Sequence, residues 1–183
     1  MKPLNELPAN LPVPIDDGGC DHLIGRSLPD LDLPTTEGVL INLAHLPGRL
    51  VIYLYPMTGR PDTALPDGWD QIPGARGCTP QSCGFRDHHA ELQALDTRVF
   101  GMSTQESDYQ QEAAARLHLP FPLISDARLE FLTALALPTM RVDGRVLSKR
   151  ITLVSNNGVI EKCFYPVFPP DQNAAQVVAY LKP

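Results

Sequence analysis

The run Leu50-Val51-Ile52-Tyr53-Leu54-Tyr55 limits what this chain can fold into more than any other segment. Six consecutive apolar or aromatic residues leave no polar face for water, so they predict a central strand covered on both sides. Pro56 ends it, because proline has no N–H to give to a ladder. A strand buried on two faces needs helices on both, and the rest of the chain alternates between the two element types. Val39–Leu43 predicts a shorter strand nearby. From Gln81 to Leu95, Phe85, His88, Leu92 and Leu95 recur at helical spacing, and Thr97–Met102 reads as a strand. Ser107–Leu117 predicts a helix opened in capping-box style by Ser107 and Gln110. A short strand over Pro122–Ile124 and a helix over Ala127–Ala136, stopped before Pro138, come next. Met140–Gly144 reads as a turn. Val146–Val154 and Val159–Tyr165 flank Ser155-Asn156-Asn157-Gly158, a hairpin signal, and Asp171–Leu181 predicts a closing amphipathic helix. This order predicts an α/β, three-layer domain with a mixed central sheet, which a thioredoxin-like arrangement fits.

Four prolines in the first fourteen positions, followed by Asp16-Asp17-Gly18-Gly19, predict an irregular N-terminal arm over residues 1–24. Residues 25–183 then make one domain. No stretch approaches the ~20 apolar residues of a membrane helix. The opening residues also lack the basic cluster and apolar core of a signal peptide, so the expectation is a cytoplasmic protein without a membrane partner. Fifteen Lys and Arg against 21 Asp and Glu give a net charge of −6, with no run of like charge. Such a chain is poorly suited to phosphate backbones, and nucleic acid is not expected as a partner.

Four cysteines are too few for a secreted disulfide scaffold of this length. Only Cys78 and Cys83 are close, in Gly77-Cys78-Thr79-Pro80-Gln81-Ser82-Cys83-Gly84-Phe85-Arg86-Asp87. Cys78 ends a Gly/Pro-rich loop, residues 57–77, just before a helix. Unpaired N–H groups and the positive end of the helix dipole favour a thiolate there. Five residues apart on one regular helix, the two Cα atoms are about 8.7 Å apart, whereas a disulfide needs roughly 4.4–6.8 Å. Oxidation of the pair therefore requires the first turns to unwind, which Pro80 and Gly84 ease. Oxidation of Cys78 to a sulfenic acid, unwinding, condensation with Cys83 and reduction by an external dithiol make a closed cycle.

The stretch resembles peroxiredoxins of the bacterioferritin-comigratory or Q-type branch, whose cysteines lie in a Pro-Gly-Cys-Thr-x-x-x-Cys-x-Phe/Leu-Arg-Asp setting. Upstream, Gly25, Leu28-Pro29-Asp30-Leu31, Leu33 and Gly38 resemble that family's opening. Downstream, Arg150-Ile151-Thr152-Leu153-Val154 and Gly158 resemble its Arg-x-Thr-Phe element. The resemblance implies a thiol peroxidase acting on hydrogen peroxide or organic hydroperoxides. Cys78 would be peroxidatic and Cys83 resolving, with thioredoxin or a similar dithiol protein as reductant, no cofactor, no metal, and a monomer or weak homodimer. Arg150 would hold the thiolate and stabilise charge on the peroxide oxygens. One departure stands out. The family's loop carries a Thr three residues before its cysteine, and here that residue is Ala75. With an insertion before Gly77, Pro56 and Thr58 take the motif positions.

Other chemistries compete. A thioredoxin-type oxidoreductase needs two sulfurs close enough to exchange in the folded state, which the spacing disfavours. A redox sensor or metal module remains, the latter with His88 or His89, but no second ligand pair follows at a fitting distance. Cys163 reads as a structural thiol in an apolar strand; Cys20, in a flexible Gly-Gly-Cys arm, defaults to structure as well, with a second resolving thiol or a link between subunits as the open alternatives. Trp69 reads as a packing anchor for the long loop.

Overall fold

A computed structural model describes residues 4–182. Residues 4–24 contain no helix or strand and are largely exposed, except that Cys20 and Leu23 are buried in the core. The first elements are a two-residue pair, β1 (Leu33–Pro34) and β2 (Leu40–Ile41), and the strand β3 (Arg49–Leu54). After the long loop come α1 (Cys78–Asp87) and α2 (His89–Ala94), then β4 (Thr97–Ser103), α3 (Ser107–Arg116), β5 (Leu123–Ser125) and α4 (Glu130–Ala134). The chain finishes with β6 (Thr139–Val142), β7 (Arg145–Ser148), β8 (Ile151–Asn156), β9 (Val159–Phe164) and α5 (Asn173–Leu181).

Five strands form one mixed sheet in the order β5-β4-β3-β8-β9. β3 occupies its centre, parallel to β4 and antiparallel to β8. The unbroken apolar run is explained by what lies on either side of it. Leu50, Ile52 and Leu54 face a core closed by Phe131 and Leu132 of α4 and by Leu23, Leu28, Leu33 and Leu43. Val51, Tyr53 and Tyr55 face a second core with Phe85 of α1, Leu92 of α2 and Ala174, Val177 and Val178 of α5. This is the three-layer, thioredoxin-like arrangement expected from the element order.

Several local expectations are corrected. Ser107 is the first residue inside α3, and its hydroxyl has no partner among the described residues. Gln110 turns inward, donating to Ser103 Oγ at 2.8 Å and Ile124 O at 3.0 Å, so no capping box forms. The segment read as one strand, Val146–Val154, breaks at Lys149–Arg150. Its first half pairs with Thr139–Val142, which is a strand and not a turn. The helix expected over 127–136 shortens to Glu130–Ala134, because the Asp126 carboxylate accepts from the N–H groups of Phe131 and Leu132 and so opens it late. Trp69 does anchor the long loop, buried among Met57, Ala75, Val142 and Leu147.

Tyr53 links the sheet to α1. Its ring stacks on Phe85 at 4.4 Å between centroids, and its hydroxyl donates to Ser82 Oγ at 3.1 Å. Burial pushes its phenol pKa upward, which keeps it a donor. Gly101 on β4 makes room for this ring, since a Cβ there would lie 2.6 Å from Tyr53 Cζ and 2.5 Å from Leu123 Cδ2. Gly101→Ala is expected to lose about 1–3 kcal/mol by overpacking, measured as a lower urea midpoint. An unchanged midpoint would show that this packing is not tight.

Candidate active site

The cysteine loop enters α1 through Gly77, at φ +105°. A Cβ at that position would lie 2.3 Å from Pro170 Cγ and 2.9 Å from Leu7 Cδ2, so both the backbone angle and the space demand glycine. The next residue, Cys78, is the first of α1 and only 4% exposed. Its Sγ lies 3.6 Å from Ala75 O. The N-terminal arm reaches this corner: besides Leu7 against Gly77, Glu6 O accepts from Arg76 Nη2 at 3.4 Å.

Arg150 comes from the break between β7 and β8. If Val146–Val154 were one continuous strand, this residue would belong to its ladder; the break lets it turn under α1. Its Nη2 lies 3.2 Å from Cys78 Sγ and also donates to Ala75 O at 3.0 Å and Arg76 O at 3.2 Å. Its Nη1 donates to Gln81 Oε1. The guanidinium is 3% exposed, and among the described residues no carboxylate lies within ion-pair distance of it. Of the groups it touches, only the sulfur can take a full negative charge.

The family model for Redoxin matches residues 23–180. The chain belongs to the redoxin family. Within it, the similarity is to peroxiredoxins of the bcp and Q type. Peroxiredoxin bcp1 of Schizosaccharomyces pombe is 33% identical over 132 residues, covering 70% of this chain and 60% of that protein. A putative chloroplastic peroxiredoxin Q of Oryza sativa is 24% identical over 159 residues, which is 86% of this chain and 66% of that protein. The chain thus spans less than two thirds of the length of these curated relatives. Among solved structures, peroxidoxin BcpB of Mycobacterium tuberculosis has a TM-score of 0.71 at 24% identity, covering 87% of this chain and 97% of that one.

In this redoxin Cys83 is the sixth residue of an unbroken α1, and all four cysteines are free. Burial pushes the Cys83 thiol up, with Arg86 pulling the other way. Helix geometry keeps its Cα about 8.7 Å from that of Cys78, beyond disulfide reach. Thr58 lies in the loop after β3, buried. Its hydroxyl donates to Gln105 Oε1 at 3.1 Å and its N–H to the same oxygen at 2.8 Å, while Gln105 Nε2 returns a bond to Thr58 O at 3.1 Å. No hydrogen bond joins Thr58 to Cys78 or Arg150 among the described residues. The structure therefore brings together Cys78 and Arg150, holds Cys83 on the same helix, and fixes Thr58 through a residue of its own.

Three residues of this assembly carry no motif. Gln81 bonds Arg150 with its oxygen and Asn173 Oδ1 with its nitrogen at 2.9 Å, and Thr152 Oγ1 donates to the same Asn173 oxygen at 2.7 Å. Gln105 is the third. For Gln81 there was a signal: three residues after Cys78, it shares that residue's helix face. His88 is paired to Glu91 at 3.0 Å and His89 lies against the Phe121 ring. The described residues gather no group of three or more His, Cys, Asp or Glu side chains fit to hold a metal.

Gln81→Leu leaves a buried guanidinium and a buried amide each one partner short. The expected loss is about 1–3 kcal/mol of stability, read from denaturant midpoints. A variant as stable as the parent would mean that this network does not clamp α1.

Proposed function

We propose that this chain is a two-cysteine thiol peroxidase for hydrogen peroxide and organic hydroperoxides, with Cys78 peroxidatic, Cys83 resolving and a thioredoxin-like dithiol protein as reductant. The observation that carries it is the Arg150 guanidinium 3.2 Å from a sulfur at a helix N-terminus. The resemblance to bcp and Q-type peroxiredoxins supports it, as does a solved bacterioferritin comigratory protein of Xanthomonas campestris with alkyl peroxide reduction activity. That structure is 20% identical, with a TM-score of 0.65, and covers 94% of this chain and 97% of its own.

The Cys78 thiolate attacks the terminal oxygen of the hydroperoxide. The S–O bond forms as the O–O bond breaks, and the alcohol or water leaves after taking up a proton. Arg150 neutralises the thiolate before this step and takes up negative charge on the leaving oxygen during it. Thr58, oriented by Gln105, supplies the hydroxyl that positions the peroxide. The sulfenic acid sulfur is then attacked by Cys83 as thiolate; the S–S bond forms as the S–O bond breaks, hydroxide takes up a proton and leaves as water, and dithiol exchange reduces the disulfide. A general disulfide exchanger fits less well, because the intact helix holds the two sulfurs' backbones too far apart. No helix of the described residues is long and apolar enough to cross a membrane. We assign the protein to the cytoplasm, where a reducing pool can regenerate it, as a monomer or weak homodimer in keeping with the Q-type branch.

Cys78→Ser is expected to abolish peroxide consumption. Cys83→Ser should give one sulfenic acid per chain, trapped by dimedone and counted by mass spectrometry, without sustained turnover. The opposite pattern would reverse the two roles. Arg150→Ala should lower kcat/KM about 10²–10³-fold in stopped-flow assays. A smaller loss than tenfold would leave the guanidinium without a catalytic part. Disulfide formation after the first step should quicken as pH rises, for two reasons that act together. Burial in closed α1 favours the Cys83 thiol, so that contribution to helix stability is present at low pH and is lost as pH rises. Higher pH also supplies more thiolate to attack. A condensation rate that falls with pH would contradict this.

A further inference from the structure

The two remaining cysteines meet where the N-terminal arm lies along β9. On one side of them, the Asp17 carboxylate accepts from Tyr165 Oη at 2.7 Å and from Lys149 Nζ at 2.6 Å. On the other, Gly25 N–H donates to Ile160 O at 2.8 Å and Ile160 N–H to Arg26 O at 2.9 Å. The arm and the strand therefore run antiparallel, pinned at both ends of a short interval. Within that interval the arm carries Cys20 and the strand carries Cys163. Cys163 pairs with Leu153 on β8 and packs against the same core cluster that contains Cys20 and Leu153. Cys20 is 6% exposed, which corrects the expectation of a flexible Gly-Gly-Cys arm, and it lies in the core cluster against which Cys163 packs. Gly19 sits tight beside it, with room for no side chain against Pro138 and Asp17.

We propose that Cys20 and Cys163 form a second redox site, a reversible disulfide that fastens the N-terminal arm to β9. It is separate from the Cys78–Cys83 chemistry and lies on the opposite face of the sheet. Its oxidant is a small dialkyl disulfide of the oxidised-glutathione class. The half-exposed Cys163 reacts first: its thiolate attacks one sulfur of the small disulfide, and a small thiolate leaves. Cys20 is held back, because the neighbouring Cys163 sulfur, then burial, push its thiol up. It loses its proton and attacks the Cys163 sulfur of the mixed disulfide, and a second small thiolate leaves. The two protein thiols lose two electrons and two protons, and one small disulfide becomes two small thiols. The bond would also immobilise one wall of a mostly apolar cavity of about 380 Å³ beside Arg150, where Val13, Pro14, Ile15 and Asp17 of the arm face Tyr165 and Pro166.

The test uses the full chain carrying Cys78→Ser and Cys83→Ser, so a failure of the peroxidase assignment cannot disturb it. After incubation with oxidised glutathione, the intact chain should be lighter by two hydrogens, and a digest should yield a Cys20–Cys163 linked peptide. Its melting temperature should rise by about 10 °C, because the bond closes a long loop in the unfolded chain, and dithiothreitol should reverse both changes. Adding Cys163→Ala should abolish the mass loss and the shift; this half-exposed site serves as the control if Cys20→Ala fails to fold. A stable glutathione adduct on Cys163 with no internal bridge would overturn the proposal, as would bridges formed only between chains.

Discussion

The contact between the Arg150 guanidinium and the Cys78 sulfur organises the rest of this molecule. It requires a cation to be buried with no carboxylate of the described residues in ion-pair range, and that arrangement is stable only if several acceptors surround the cation and hold it in place. The carbonyls of Ala75 and Arg76 and the amide of Gln81 do so. Two of these acceptors belong to the loop and one to the first turn of α1. The same bonds that fix the arginine therefore fix the geometry of the turn that presents the sulfur. Neither partner is in place unless that turn is helical.

That dependence sets up a conflict with the second half of the chemistry. The helix that places Cys78 beside Arg150 also holds Cys83 out of reach. To bring the sulfurs together, the chain must give up the Gln81 bonds to Arg150 and Asn173, the Ser82 bond to Tyr53, or both. Each is worth on the order of 1 kcal/mol net, somewhat more where the guanidinium is involved. Pro80 and Gly84 reduce the intrinsic stability of the same segment. The closed helix is thus favoured by a few specific contacts laid over a weak local preference, which suits a segment that must open once per cycle and close again.

The central strand, the cysteine helix and the turn at Asn157-Gly158 were legible in the sequence because each rests on local rules: an apolar run, a loop-to-helix boundary and a positive-φ pair, at +48° and +78°. The break at Lys149–Arg150 was not. Val146–Val154 has the composition of a single strand, and what interrupts it is the demand of a distant helix for a buried cation. Arg150 was reached through family resemblance, since alternation along a strand does not distinguish it from Lys149. Asn173 and Gln105 were invisible for a related reason, as a lone amide has no spacing signature and its role appears only when several elements converge, whereas Gln81 was marked only by its place three residues after Cys78. Cys20 was misjudged because Gly-Gly-Cys reads as loose chain, whereas here Asp17, Tyr165 and Ile160 bind the arm closely on either side of it.

Amide hydrogen exchange over residues 79–84 tests the central dependence most directly. In the reduced chain these amides should be protected as a folded helix. They should stay protected in Cys83→Ser after one equivalent of peroxide, when Cys78 is oxidised but unpaired. Protection should collapse once a Cys78–Cys83 disulfide has been verified by mass. A disulfide-bonded chain that keeps the protection of the reduced one would contradict the need for α1 to open.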